Sequence, residues 1–454
     1  MSVEDAVKAL NEKLNETRPA LKGFDQYWAG EQPAAFMAPK SREALGNRLS
    51  KMAVNFPRLT VTSLAERLEL TGFRLNGSAA ADEKVWKLWR RNRMRDASAQ
   101  AHLDALVYGR SFAVVWADDD GNPVVSVESP LQMATITDPV TRRVTEAFKR
   151  WVDLDGTARG VLYDAEKIRH MTGGNTLDEG GFQTTGWTVT ETIPNPLGVV
   201  PVVPIVNRGR LLDTDGVSEM RDVLGLADAL NKLMSDAMVT SEFYARPRRW
   251  VTGMEIVEDD EGNVIDPFSN EAGRVWQSES TETKFGQFDG ARLDGYADLT
   301  AVVTQQIGAL SGLPPHYLGL HGDQPASADA IRSAEASLVS RAQELMRTFG
   351  TAWADVVALM VAIRDDVDPL DVDVECVWAN PETRTPAQAA DAAAKLHGIG
   401  VPLSVVLADT LSYTPEQIRR VEDALKDAPA PEKPAEKAPE KAETPDEETL
   451  PDAA

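Results

Sequence analysis

Apolar positions recur at three- and four-residue steps in several long stretches and alternate with polar ones between them, so this chain reads as a mixture of long helices and β-rich segments. Val3, Ala6, Leu10 and Leu14 open a mainly helical region that continues to about residue 110. From about 111 to 206 the pattern turns to strands. Ser111–Trp116 and Val124–Val127 flank the cluster Asp118-Asp119-Asp120-Gly121-Asn122, which predicts a hairpin turn. Further strands are expected near 144–151, 160–163 and 186–191. The prolines of 195–204 suit an edge or irregular strand, since proline donates no ladder hydrogen bond.

A helix follows. Val223, Leu226, Ala227, Leu230, Leu233, Met234, Ala237 and Met238 keep helical spacing over about 218–244, ~40 Å at ~1.5 Å per residue. Residues 247–292 read as a small β-rich insertion, with short strands at Trp250-Val251-Thr252 and Arg274-Val275-Trp276. A second helix covers about 295–311. Ser311-Gly312-Leu313-Pro314-Pro315 breaks it, and Ser327 is a plausible N-cap for the longest helix, about 327–364 and on the order of 55 Å. The alternation of 372–378 predicts a strand that contains Cys376. Helices are expected at 386–398, 403–411 and 414–426.

With 454 residues and 43% hydrophobic content, the chain has room for two to four structural units with ordinary cores. No stretch reaches the ~18 uninterrupted apolar residues of a membrane span, and the first residues lack the features of a signal peptide, so no membrane partner is expected and a cytoplasmic origin is. The single cysteine, Cys376, has no partner for an internal disulfide and is expected to be packed. The net charge of -24 argues against a tight, static grip on DNA phosphates. Against that balance stands one basic and aromatic cluster, Trp86, Trp89, Arg90, Arg91, Arg93 and Arg95. A solvated helix face with interfacial tryptophans is favoured there over a nucleic-acid contact. Residues 427–454 hold six prolines and nine acidic residues against three lysines, a composition that predicts disorder.

Catalytic signatures are missing. There is no Gly-x-x-x-x-Gly-Lys-Ser/Thr loop, no His-Glu-x-x-His and no Gly-x-Ser-x-Gly. His316 and His321 share one loop and read as ordinary loop histidines. No catalytic, cofactor-binding or metal-ligating residues are assigned, and the chain is not expected to be an enzyme.

Four stretches together carry a resemblance: Leu106–Phe112, where a helix passes through Gly109 into a hairpin; Glu128-Ser129-Pro130 through Ile136-Thr137-Asp138; Leu197–Asn207; and Ser311–Gly319 with Pro325–Ile331 and the long helix behind it. In order and spacing over about residues 40–425, the chain resembles the portal proteins of long-tailed bacteriophages, particularly those of actinobacterial hosts. The resemblance implies an α+β fold with wing, stem, clip and crown, assembling into a ring, by expectation of twelve subunits. It maps 1–216 to the wing, 217–246 and 293–311 to two stem helices, 247–292 to the clip and 312–326 to a tunnel loop. It further maps 327–383 to the long helix and a strand returning to the wing, and 384–426 to the crown. Implied partners are double-stranded DNA in transit, the terminase large subunit and the head–tail adaptor at the clip, and the major capsid and scaffolding proteins on the wing. The implied location is the virion, reached by assembly in the host cytoplasm. Candidates to approach DNA are Arg246, Arg248 and Arg249 at the stem–clip junction and His316, Tyr317, His321, Asp323 and Gln324 in the loop. The alternatives are that the arginines pair with a neighbouring subunit and that the loop residues merely hold its shape. Two other functions stay open at this point: another head–tail structural protein, such as an adaptor or minor capsid protein, or an unrecognised hydrolase.

Overall fold

The computed structural model describes residues 1–32, 53–173, 181–244, 249–253, 281–287, 293–320 and 327–427. Helix α1 (Val3–Ala29) opens at Ser2, whose hydroxyl accepts from the Asp5 amide. Its apolar stripe, Ala6, Val7, Leu10 and Leu14, covers one face of a five-stranded antiparallel sheet. That sheet has the order β4 (Met133–Thr137), β5 (Val144–Val152), β6 (Ala158–Tyr163), β7 (Lys167–Thr172), β8 (Thr188–Pro194). Arg150 on β5 lies buried beneath α1 and donates to Asn11 Oδ1 at 2.7 Å and Asn15 Oδ1 at 2.8 Å.

The larger core is built on helices α2 (Phe56–Ala65), α3 (Glu83–Arg91) and α4 (Met94–Tyr108), together with a three-stranded sheet. In that sheet β2 (Arg110–Ala117) lies between β3 (Pro123–Glu128) and β9 (Val202–Val206). The expected turn joins β2 and β3, with Asp118 Oδ1 accepting from the amides of Asp120 and Asn122. β9, with its proline, is an edge strand as the composition predicted. Gly109 ends α4 at φ +96°, and a Cβ there would stand 2.9 Å from the Gly216 carbonyl carbon. The helix-to-hairpin step therefore needs glycine.

The long helix α7 (Ala328–Asp365) is capped by Ser327 as expected and runs through this core. Leu338, Ala342, Phe349, Trp353, Val356, Val357 and Met360 are fully buried along it. It is long and apolar enough to cross a membrane, but its apolar residues are spent on the chain's own core. The Trp353 indole donates to Nε2 of the buried His102 at 2.7 Å. β12 (Val374–Trp378) pairs antiparallel with β1 (Leu70–Leu75), a strand the sequence pattern did not reveal. Cys376 on β12 donates to the Gly350 carbonyl at 3.2 Å, and burial pushes its thiol pKa up, as a packed cysteine requires. Helices α8 (Pro386–Gly398), α9 (Leu403–Asp409) and α10 (Pro415–Asp427) complete the described chain.

Two expectations are corrected. Trp86 and Trp89 are not interfacial: both are buried in the core, with Trp89 edge-on to Trp353 at 5.3 Å. Leu88 and the tryptophans form one apolar side of α3, and the basic residues take the other. The helix expected from 218 starts at Leu224, because Ser218–Val223 fold into turns. The expected strand 274–276 and the tail after Asp427 lie outside the described residues.

Candidate functional site

Helices α5 (Leu224–Tyr244) and α6 (Asp294–Ser311) stand side by side and antiparallel. The Thr240 and Tyr296 hydroxyls lie 3.2 Å apart near one end, and Leu230 and Ile307 join the main core at the other. The free end carries the hairpin of β10 (Arg249–Thr252) and β11 (Lys284–Gln287).

The root of the pair is held by polar ties from several directions. The Val54 amide donates to Asn231 at 2.8 Å, and Tyr27 donates to Asp228 at 2.7 Å. Above α6, the Arg341 guanidinium of α7 donates to the Leu310 carbonyl at 3.2 Å and also bonds the Ser311 carbonyl and the Glu219 carboxylate. A cation suits that place, where the last carbonyls of α6 lack helical partners. Glu219 is 3% exposed, and its second oxygen accepts from Asn207 at 3.3 Å. Burial pulls the Arg341 pKa down.

On its outer sides the pair leaves apolar side chains exposed. On α6 only Thr304, Ile307 and Ser311 are buried, while Leu299, Val302 and Leu310 are more than half exposed. Met238 of α5, and Trp250 and Phe285 of the hairpin, are exposed as well.

After α6, Gly312 at φ +71° turns the chain into a short 3-10 helix, Pro315–Leu318. His316 and Tyr317 sit at the root of the following loop, tied to one carboxylate. Glu335 of α7, 4% exposed, lies 3.4 Å from Arg67 and 3.7 Å from His316 Nε2, and accepts from the Thr383 hydroxyl at 2.8 Å. Arg67 also donates to the Tyr317 hydroxyl at 3.1 Å. Burial raises the Tyr317 pKa, opposed by Arg67 and aided by Glu335. Of the sequence-predicted loop residues, Tyr317 is held by the hydrogen bond from Arg67, and His316 stands within 3.7 Å of Glu335. His321, Asp323 and Gln324 lie outside the described residues, as do Arg246 and Arg248, and of Arg249 only the strand pairing with Gln287 is described. Sequence reasoning passed over Glu335, although it stands between Ile331 and Leu338 on the apolar stripe of α7. A carboxylate on that stripe was the available signal. Arg67 and Thr383 gave none, since only the fold brings them to it.

The family model for "Phage portal protein, SPP1 Gp6-like" matches residues 7–427. The chain belongs to the phage portal protein family. Family membership makes it a structural phage protein with a place in the phage particle, and it sets aside the adaptor and minor capsid readings. Similar relatives are the portal proteins of Mycobacterium phages L5 and D29, 35% and 34% identical over 363 residues. In each case 76% of this chain and 73% of the relative are covered. The expected affinity to portals from phages of actinobacterial hosts is thus met. Among solved structures, the neck of a native gene transfer agent particle computed with C12 symmetry is 15% identical, with a TM-score of 0.46. That likeness covers 84% of this chain and 94% of the other. It is too weak to add to the family match.

Proposed function

We propose that copies of this portal-family chain stand side by side in a ring, with α5 and α6 around an open axis through which double-stranded DNA is packaged and ejected. The observation that carries this reading is the bare apolar face of α6. Leu299, Val302 and Leu310 are more than half exposed and find no cover among the described residues, whereas the neighbouring helix α7 buries its apolar stripe. Identical neighbours around a closed ring cover such a face by heterologous contact. The ring is expected to hold twelve copies. In this arrangement 1–216 is the wing, 217–246 and 293–311 the stem, 247–292 the clip, 312–326 the tunnel loop and 384–426 the crown.

A channel must let DNA slide, and a chain of net charge -24 supplies a wall that repels phosphates rather than trapping them. Arg246, Arg248 and Arg249 would add a narrow basic ring at the stem–clip junction, and His321, Asp323 and Gln324 would approach DNA from the loop. His316 and Tyr317 would serve chiefly as the anchor of that loop, since both are engaged at Glu335. The clip is the proposed dock for the terminase large subunit and later for the head–tail adaptor. The wing is proposed to meet capsid and scaffolding proteins during assembly in the host cytoplasm. Negative-stain electron microscopy with mass measurement of the purified protein tests this: rings with an open axis are expected, and a compact single particle would refute it.

A further inference from the structure

The basic stretch that the portal reading leaves unused is Lys84–Arg95. It carries six cations, Lys84, Lys87, Arg90, Arg91, Arg93 and Arg95, and no acid, in a chain of net charge -24. Trp86 and Trp89 turn one side of α3 into the core, so Lys84, Lys87 and Arg91, at steps of three and four, form an exposed stripe on the other. Some of the six are already engaged. Arg90 bonds Glu416, Arg95 lies 2.9 Å from Glu69, and Arg91 lies 3.7 Å from Asp118. Lys84 has Asp365 nearby, which itself bonds Arg364. Lys87 and Arg93 make no side-chain bond or ion pair with described residues. Arg93 holds a left-handed backbone at φ +54°, unusual for a residue with a Cβ, and lines a cleft of about 890 Å³ between this region and α10.

Helix α10 packs on α3. Its Arg419 donates to Glu83 at 2.9 Å, next to Lys84, and its Glu416 bonds Arg90. From Arg419 the helix runs eight residues to Asp427, about 12 Å at ~1.5 Å per residue. The chain that continues from there, 428–454, has eight acidic residues against three lysines, a net of -5. Twenty-seven residues can span up to about 90 Å, by ~3.3–3.6 Å per residue at full extension, more than the distance from their root to the basic stripe. Tethering at that distance gives the two opposite charges a millimolar-order effective concentration.

We propose that residues 428–454 of each chain seat their carboxylates on the basic face of α3 of the same chain, around Lys84, Lys87 and Arg93. The contact is an intramolecular electrostatic cover over this basic surface. It does not rest on the ring reading and is testable whether or not rings form.

Zero-length carbodiimide cross-linking of the full chain, read by mass spectrometry, tests it. Amide links from Lys84 and Lys87 to the acids of 432–452 are expected at low salt. They should fall about fivefold near 0.5 M salt, where screening shortens to a few ångströms. The link between Lys149 and Glu128, 2.7 Å apart, serves as the folded-state control and should persist. The exposed variant Lys87→Glu/Arg93→Glu should lose most of the remaining Lys84 links while keeping the control. In samples mixed from light- and heavy-isotope chains the links should stay within one isotope. Absence of tail links alongside an intact control, tail links only to other surfaces, or links chiefly between isotopes would each overturn the assignment. So would protection of Lys84 and Lys87 by a short DNA duplex in a chain that shows no tail links without it, since that would give the face to nucleic acid.

Discussion

Helices α7 and α6 are both apolar and follow each other in the chain, yet they meet opposite fates. α7 crosses a core that surrounds it: Leu338, Phe349, Trp353, Val356 and Met360 are buried against α2–α4 and the strands β2, β9 and β12. α6 buries three residues near its root and exposes Leu299, Val302 and Leu310. The same kind of apolar stripe is thus satisfied inside one subunit in the first case and left unsatisfied in the second. Intrachain folding accounts for the body of this protein, and the proposed assembly would account for the helical pair.

That contrast makes quantitative predictions for the unfolding free energy. The largest effect is expected for Trp353→Ala, which empties a fully buried indole site and strands the acceptor nitrogen of His102. About 3–5 kcal/mol should be lost, read from urea denaturation of the unassembled chain. Arg341→Met should cost about 3 kcal/mol, because it leaves the Glu219 carboxylate buried without its cation at the root of the pair. If the loss there were negligible, the root would not be part of the cooperative body.

A pH effect comes next. Burial holds His102 neutral, with a folded pKa of about 3 against 6.5 when free. Below pH 6.5 the unfolded chain takes up a proton that the folded chain refuses. Stability therefore falls as pH falls, and continues to fall until the folded group titrates near 3. Going from pH 7 to pH 5 should cost about 2 kcal/mol from this group, and His102→Gln should flatten that slope. The smallest change is expected for Leu299→Asn with Val302→Asn, within about 0.5 kcal/mol for the isolated chain. The same double variant should reduce ring formation strongly in sedimentation. A large loss of subunit stability with assembly unchanged would reverse the proposed contrast.

Much of the architecture was legible in the sequence because it rests on local rules. Helical periodicity located α5, α6 and α7 to within a few residues, except that turns replaced the first six residues expected of α5. Ser327 as a cap, the Asp118–Asn122 turn and Gly109 at the helix-to-hairpin step were readable for the same reason: each depends on backbone geometry within a few residues. The family resemblance rested on such local segments in order. The tryptophans of α3 were misjudged because adjacent arginines suggested a surface, and only packing shows that one helix side is core while the other is charged. β1 escaped notice because its pairing with β12 joins residues some 300 positions apart.

By itself the sequence determined the order of the long helices and of most strands, the excess of negative charge and the family to which the chain belongs, since each follows from short-range pattern and composition. The tertiary structure decided which groups meet. It brought Arg67, His316, Tyr317 and Thr383 to Glu335, set Arg341 between Glu219 and the end of α6, and left the face of α6 uncovered. Those outcomes depend on distances between segments far apart in the chain, and side-chain burial follows from such distances rather than from local spacing.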